Sequence, residues 1–278
     1  MARQLLVRER HGAVLELRMD NPPYNGLTGP LLVEYVAALA EARTDDTVRA
    51  VVTTSAVPTW CAGGDLSEIA EEAVTAGLSD LLHASTKETP HLSLAERQAD
   101  RLGVGRYILA IDGFEKPLIA AVGGPAAGGG LALALLHDVR FVSDRAVFTT
   151  AFTRIGLSLE MGLSYLLPRA IGPQAAFDLA VTSRRVPADE AVSLGLAWRL
   201  VPHDELAATA IGYAAELAER APLGVQLAKR LLRRSWDHRF EDQLEAEWPW
   251  QAAAFDSPDS RAAVAEFARR AHKGDAGS

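Results

Sequence analysis

The stretch from Pro117 to Leu136, "PLIAAVGGPAAGGGLALALL", carries no charge, and it restricts the fold more than any other segment. Its length alone would suit a membrane span. Its middle does not, because Gly123, Gly124, Pro125 and Gly128 to Gly130 would each weaken a spanning helix. Strand, loop and helix therefore divide the segment: a buried strand over Pro117–Val122, a glycine loop, and a greasy helix. The composition, 49% hydrophobic and 23% charged over 278 residues, is that of a soluble globular chain long enough for a sizeable core.

Other segments repeat the alternation. Ala13–Met19 alternates like a half-buried strand, and "NPPYNG" follows as turn chemistry. Leu31–Ala42 has helical spacing, Ala50–Ser55 is a β-branched strand, and Val139–Ser143 is another strand. "VPTWCAGGD" is a loop, with Asp65 a suitable N-cap for a helix starting near Leu66. Residues 71–103 are polar and read as a helical excursion or a mobile cover. Beyond Pro202 the pattern is almost wholly helical, with Pro222, Pro249 and Pro258 as boundaries. The fold class is α/β.

The formal net charge of −8 and the absence of a long basic block argue against nucleic acid or an anionic membrane as partner. The single cysteine, Cys61, excludes an intrachain disulfide and fits a reducing compartment, so a cytoplasmic location is expected. The amino end has charges on both sides of a three-residue apolar run, unlike a secretory signal.

Two glycine groups stand between a strand and a helix start: Ala62-Gly63-Gly64-Asp65 and Gly128-Gly129-Gly130. A helix start leaves amide groups unpaired and partially positive, and glycine lets a ligand atom approach them. An oxyanion suits such amides. Phosphate fits poorly, since no Lys-Ser, Lys-Thr or G-x-G-x-x-G register follows. Two tight turns packed against a sheet would need the same glycines.

In this order, "NPPYNGLT", "TWCAGGDLSEI", "AAVGGPAAGGGLALALLHDVRF", "FTTAFTRIGLSLEMGLSYLLPRAIG" and "AVSLGLAWRLVP" resemble the crotonase superfamily, the enoyl-CoA hydratase/isomerase group, over nearly the whole chain. The resemblance implies a ββα spiral core over residues 1–201 with a C-terminal helical region over 202–278. It also implies homotrimers or homohexamers, and an acyl-CoA thioester as substrate. Coenzyme A is then part of the substrate, with no permanently bound cofactor and no metal.

Residue by residue, the resemblance makes the amides of Gly64 and Gly129 the donors to the thioester oxygen. It sets the backbone near Ala62 against the adenine, and assigns Phe267 and Arg270 to coenzyme contacts. Tyr24 replaces a cation common in relatives. The two glutamates with which family hydratases handle water correspond to Ala132 and Phe152, and neither side chain moves protons. Glu160 stands where double-bond isomerases of the family carry their catalytic acid. Burial among Leu157, Leu159, Met161 and Leu163 would raise its pKa.

One-glutamate isomerisation of an enoyl-CoA is the leading expectation. The alternatives are a hydratase, lyase or hydrolase with displaced acids, and a non-catalytic acyl-CoA-binding protein. Asp138 reads as structural, and Glu68 as a residue that could face the pocket. His83, His91 and His137 lack metal-ligand spacing, and no Ser-His-Asp arrangement is evident.

Overall fold

The computed structural model describes residues 3–64 and 104–274, with side chains as far as Arg269. Asp65, Glu68, His83, His91 and the 71–103 excursion lie outside the described residues.

Apolar strands that cannot face water on either side assemble the main sheet. Strands β1 (Leu6–His11) and β2 (Val14–Met19) form an antiparallel hairpin. Next come β3 (Ala50–Ser55), β4 (Leu118–Val122), β6 (Val139–Ser143) and β9 (Arg199–Val201), all parallel, in the order β1-β2-β3-β4-β6-β9. All five residues of β4 are buried, as expected of a central parallel strand covered on both faces. A second, small sheet joins β5 (Pro125–Ala127), β7 (Val147–Thr149) and β8 (Val186–Pro187).

Strand β1 was not foreseen. It is an edge strand carrying Arg8, Glu9 and Arg10, which need no apolar alternation and which guard the edge against pairing. The three short strands of the second sheet are also too brief to leave a periodic signal.

Ten α-helices lie among the described residues. They are α1 (Gly29–Thr44), α2 (Gly105–Asp112), α3 (Gly129–Leu136), α4 (Leu163–Ile171), α5 (Pro173–Thr182), α6 (Ala188–Leu194), α7 (Leu206–Ala218), α8 (Pro222–Arg234), α9 (Phe240–Asp256) and α10 (Pro258–Gly274). Each turn of the core adds a strand to the large sheet, a strand to the small one and then helix: β4, β5, α3, followed by β6, β7, α4. This is the expected ββα spiral.

One sheet face carries Val14, Ala50, Val52, Ile119, Ala121 and Phe141, sealed by Leu206, Ala210 and Ala214 of α7. The other face carries the larger core. Helix α3 is buried at all eight positions, which accounts for a sequence apolar all round. Pro222 and Pro258 open α8 and α10 as expected, but Pro249 lies inside α9 and marks no boundary. The local cost of a proline is outweighed there by a helix that continues on both sides.

His137 caps α3 and is buried. Its Nδ1 donates to the Leu133 carbonyl at 2.8 Å, and its Nε2 meets the Thr53 and Tyr35 hydroxyls at 2.8 and 3.2 Å. Burial pushes its pKa down to about 3. Asp138 is a structural hub. It accepts from the Leu118 amide at 2.8 Å and pairs with Lys229 at 2.7 Å and Arg233 at 3.0 Å, which fastens α8 to the core.

Because the unfolded chain protonates His137 near 6.5 and the folded chain only near 3, the folded state loses ground as pH falls through that window. The slope from this residue approaches about 1.4 kcal/mol per pH unit. Urea midpoints measured from pH 6.5 to 4 should therefore fall less steeply for His137→Gln than for the wild type. Parallel curves would refute the assignment.

Candidate active site

The site begins with Asn25, fully buried at φ 49°. Its Nδ2 donates to Ser55 Oγ at 2.8 Å and to the Trp60 carbonyl at 3.1 Å, and its Oδ1 accepts from the Asn21 amide at 2.8 Å. These bonds hold the segment after β2 against the loop after β3. The Leu27 amide then donates to the Gly63 carbonyl at 2.7 Å, and the Ala62 amide to the Tyr24 carbonyl at 3.0 Å. On its other side the same loop pairs with β5. Cys61 N donates to the Pro125 carbonyl at 3.1 Å, and Ala127 N to the Cys61 carbonyl at 3.0 Å.

Held from both sides, the loop presses its glycine on the start of α3. A β-carbon on Gly63 would stand 2.7 Å from the Ala127 carbonyl oxygen and 2.8 Å from the Gly129 amide nitrogen. Gly63 also has φ 83°, which disfavours any side chain. The Gly64 amide is the next peptide unit, so the two predicted donors belong to backbones in direct contact. No described residue accepts a hydrogen bond from either amide. Helix α3 has no side-chain cap. Its first amides thus keep their partial positive charge, and Gly129 itself lies buried beneath Met161 and Leu27.

The loop carrying Glu160 runs from the short 3-10 helix Phe152–Ile155 to α4. Its contact with α3 is made by Met161, whose sulfur would lie 2.5 Å from a β-carbon on Gly129. Glu160 is therefore one residue from a side chain that touches the glycine of the predicted oxyanion site. Leu157 and Leu159 are half-buried against the core, and Met161 and Leu163 are buried. Glu160 itself is exposed at the surface of this chain rather than enclosed among them. Even so, partial desolvation raises its carboxyl above the usual range, the direction expected.

The positions without glutamates are apolar and packed. Ala132 is fully buried in α3, and the Phe152 ring lies 3.6 Å from where a β-carbon on Gly128 would stand.

Not every predicted residue joins this cluster. Ala62 lies beside it, half-buried, and Tyr24 is exposed. Phe267 is exposed on α10, which packs against α8 and α9, and the side chain of Arg270 lies beyond those described. Cavities of about 260 Å³ against α10 and about 330 Å³ beside Lys116 are lined by none of the predicted site residues. The glycine pair is the candidate site because its amides meet no acceptor among the described residues, as an oxyanion site requires. Glu9, His11 and Glu16 gather on the β1–β2 hairpin, but Arg18, Thr54 and a His11–Glu16 bond of 2.9 Å already meet their charges. The role of Met161 as the contact to Gly129 was missed. Its only signal in sequence was its place beside Glu160.

The family model for enoyl-CoA hydratase/isomerase matches residues 9–274. The chain belongs to the enoyl-CoA hydratase/isomerase family. A probable enoyl-CoA hydratase of Mycobacterium bovis is 36% identical over 244 residues, covering 87% of this chain and 80% of that one. The 1,2-epoxyphenylacetyl-CoA isomerase of Escherichia coli is 30% identical over 256 residues, 91% of each chain. A crystal structure of an enoyl-CoA hydratase/isomerase from Cupriavidus metallidurans is 29% identical with a TM-score of 0.82, covering 97% of this chain and 95% of that one. This family member thus has both hydratase- and isomerase-named relatives. No helix among its described residues is long and apolar enough to cross a membrane.

Gly63→Ala should destabilise this enoyl-CoA hydratase/isomerase family chain by about 2–4 kcal/mol, from the left-handed backbone and the two close contacts together. Urea unfolding of the variant measures it. A midpoint equal to the wild type's would show that the loop is not held against α3 as described.

Proposed function

We propose that the chain binds an acyl-CoA thioester and shifts its double bond, with Glu160 as the catalytic base. The carrying observation is the contact of Met161 with Gly129, which supports Glu160 as the carboxyl beside the two free amides. In this reading the Glu160 carboxylate removes a proton from the α-carbon of a 3-enoyl thioester. The electron pair moves to the carbonyl oxygen, which accepts hydrogen bonds from Gly64 and Gly129. The same proton returns at the γ-carbon, and the double bond moves from the β,γ to the α,β position. One donor aimed at such an oxygen contributes about 2.7–4 kcal/mol. A raised carboxyl pKa suits the base, since a more basic carboxylate takes a carbon-bound proton more readily.

The acyl-CoA is a substrate in this account, with Ala62, Phe267 and Arg270 as its coenzyme contacts. Apolar exposure on α8, α9 and α10 supports assembly into a homotrimer or homohexamer. Leu232, Phe240, Trp248, Phe255 and Phe267 all face solvent, and α9 buries no residue of its own. Light scattering should give at least three times the chain mass, and a monomer would refute this part.

A second reading, hydration by acids placed elsewhere, is favoured by the name of the 36% identical relative. Conversion of a 3-enoyl-CoA to the conjugated 2-enoyl product, followed by absorbance, separates the two. Glu160→Gln should lower that rate by about 10²-fold or more while acyl-CoA still binds. In the wild type, kcat/KM should fall as acidification protonates Glu160, with an apparent pKa above 4.5. Full activity in Glu160→Gln would remove the base assignment. A 3-hydroxyacyl product formed from 2-enoyl-CoA would favour hydration, and binding without turnover would favour a non-catalytic acyl-CoA carrier.

A further inference from the structure

We infer that Met161 is a specificity-determining residue that restricts the substrate to thioesters unbranched at the α-carbon. The inference rests on the acyl-CoA reading above and deepens it. A β-carbon on Gly129 would meet the Met161 sulfur at 2.5 Å and Leu27 Cδ1 at 3.2 Å. The sulfur and the leucine methyl therefore flank the glycine backbone, with no room for a methyl group between them and it. A carbonyl oxygen held by the Gly129 amide has its α-carbon only two bonds away. An acyl group whose oxygen is held there runs past the sulfur and the leucine methyl, and a methyl branch on its α-carbon has to displace one of them.

The backbones that carry both walls are held in place. Leu27 is buried, and its amide is bonded to the Gly63 carbonyl at 2.7 Å. Met161 is buried, with its backbone at φ 55° and followed by Gly162 at φ 78°. Two successive left-handed residues turn the chain so that the thioether points inward while the loop continues into α4. A residue with a β-carbon adopts that conformation only at a steric cost, so a glycine would relax the turn. A side chain kept there against that cost, and lying on the candidate oxyanion glycine, is placed to select substrates.

The test is calorimetric and needs no turnover. Butanoyl-CoA and 2-methylpropanoyl-CoA, which differ in branching at the α-carbon, are titrated into the wild type and into Met161→Ala, Met161→Gly and Met161→Leu. The wild type should prefer the straight chain by about tenfold or more, the range a single misplaced carbon produces in a close-fitting pocket. Met161→Leu should keep that preference. Met161→Ala and Met161→Gly should reduce it to within about threefold, the glycine variant serving if the alanine variant does not fold. A wild type that binds both thioesters equally, or truncated variants that keep the full preference, would overturn the inference while leaving the acyl-CoA reading intact. A wild type that binds neither thioester would overturn that reading, and this one with it.

Discussion

Two stretches of main chain lie against each other with no side chain between them, and the arrangement of the site depends on that contact. Gly63 faces the Ala127 carbonyl and the Gly129 amide at distances that a single β-carbon would make impossible. The buried Asn25, the bonds from Leu27 and Ala127 to the Gly63 loop, and the small second sheet all serve to bring these backbones together. Energetically the contact itself is slight. Its importance lies in what it leaves without an acceptor among the described residues: the Gly64 and Gly129 amides.

The surroundings reinforce that electrostatic character. Helix α3 is buried over its whole length and starts without a capping side chain, so the field of its first turn is little screened. Ala132 and Phe152 add buried hydrocarbon around the start of α3. Glu160, on the loop that carries Met161, is desolvated enough to be more basic than an ordinary glutamate. In the proposed reading a glycine-lined donor pair works with one basic carboxylate, and proton relocation within one molecule would require no more than that.

The carboxyl-terminal helices follow a different logic. Helix α8 is held by ion pairs from Lys229 and Arg233 to Asp138, at the entry to a central strand. Desolvation lowers the Lys229 pKa to about 8, so this attachment is built from partly buried charge rather than from a shared apolar core. Helix α9, by contrast, packs on α8 and α10 without a fully buried residue. The outer helices thus present apolar residues outward.

The sequence by itself determined the central strands, the α/β class and the two glycine groups, because each is a local signal: β-branched runs, an uncharged segment interrupted by glycines, a helix apolar on every side. It also marked Glu160 through its motif. It could not reveal β1, whose edge position frees it from alternation, or the short strands of the second sheet, whose pairing partners are far away in the chain. Pro249 misled because propensity was read without the helix on either side of it. Tertiary structure alone decided that Gly63 meets Gly129, that Met161 covers that glycine, and that Glu160 lies at the surface yet is partly desolvated. Those are distances between segments separated in sequence, and a linear pattern carries residue type and spacing but not the packing that sets such distances.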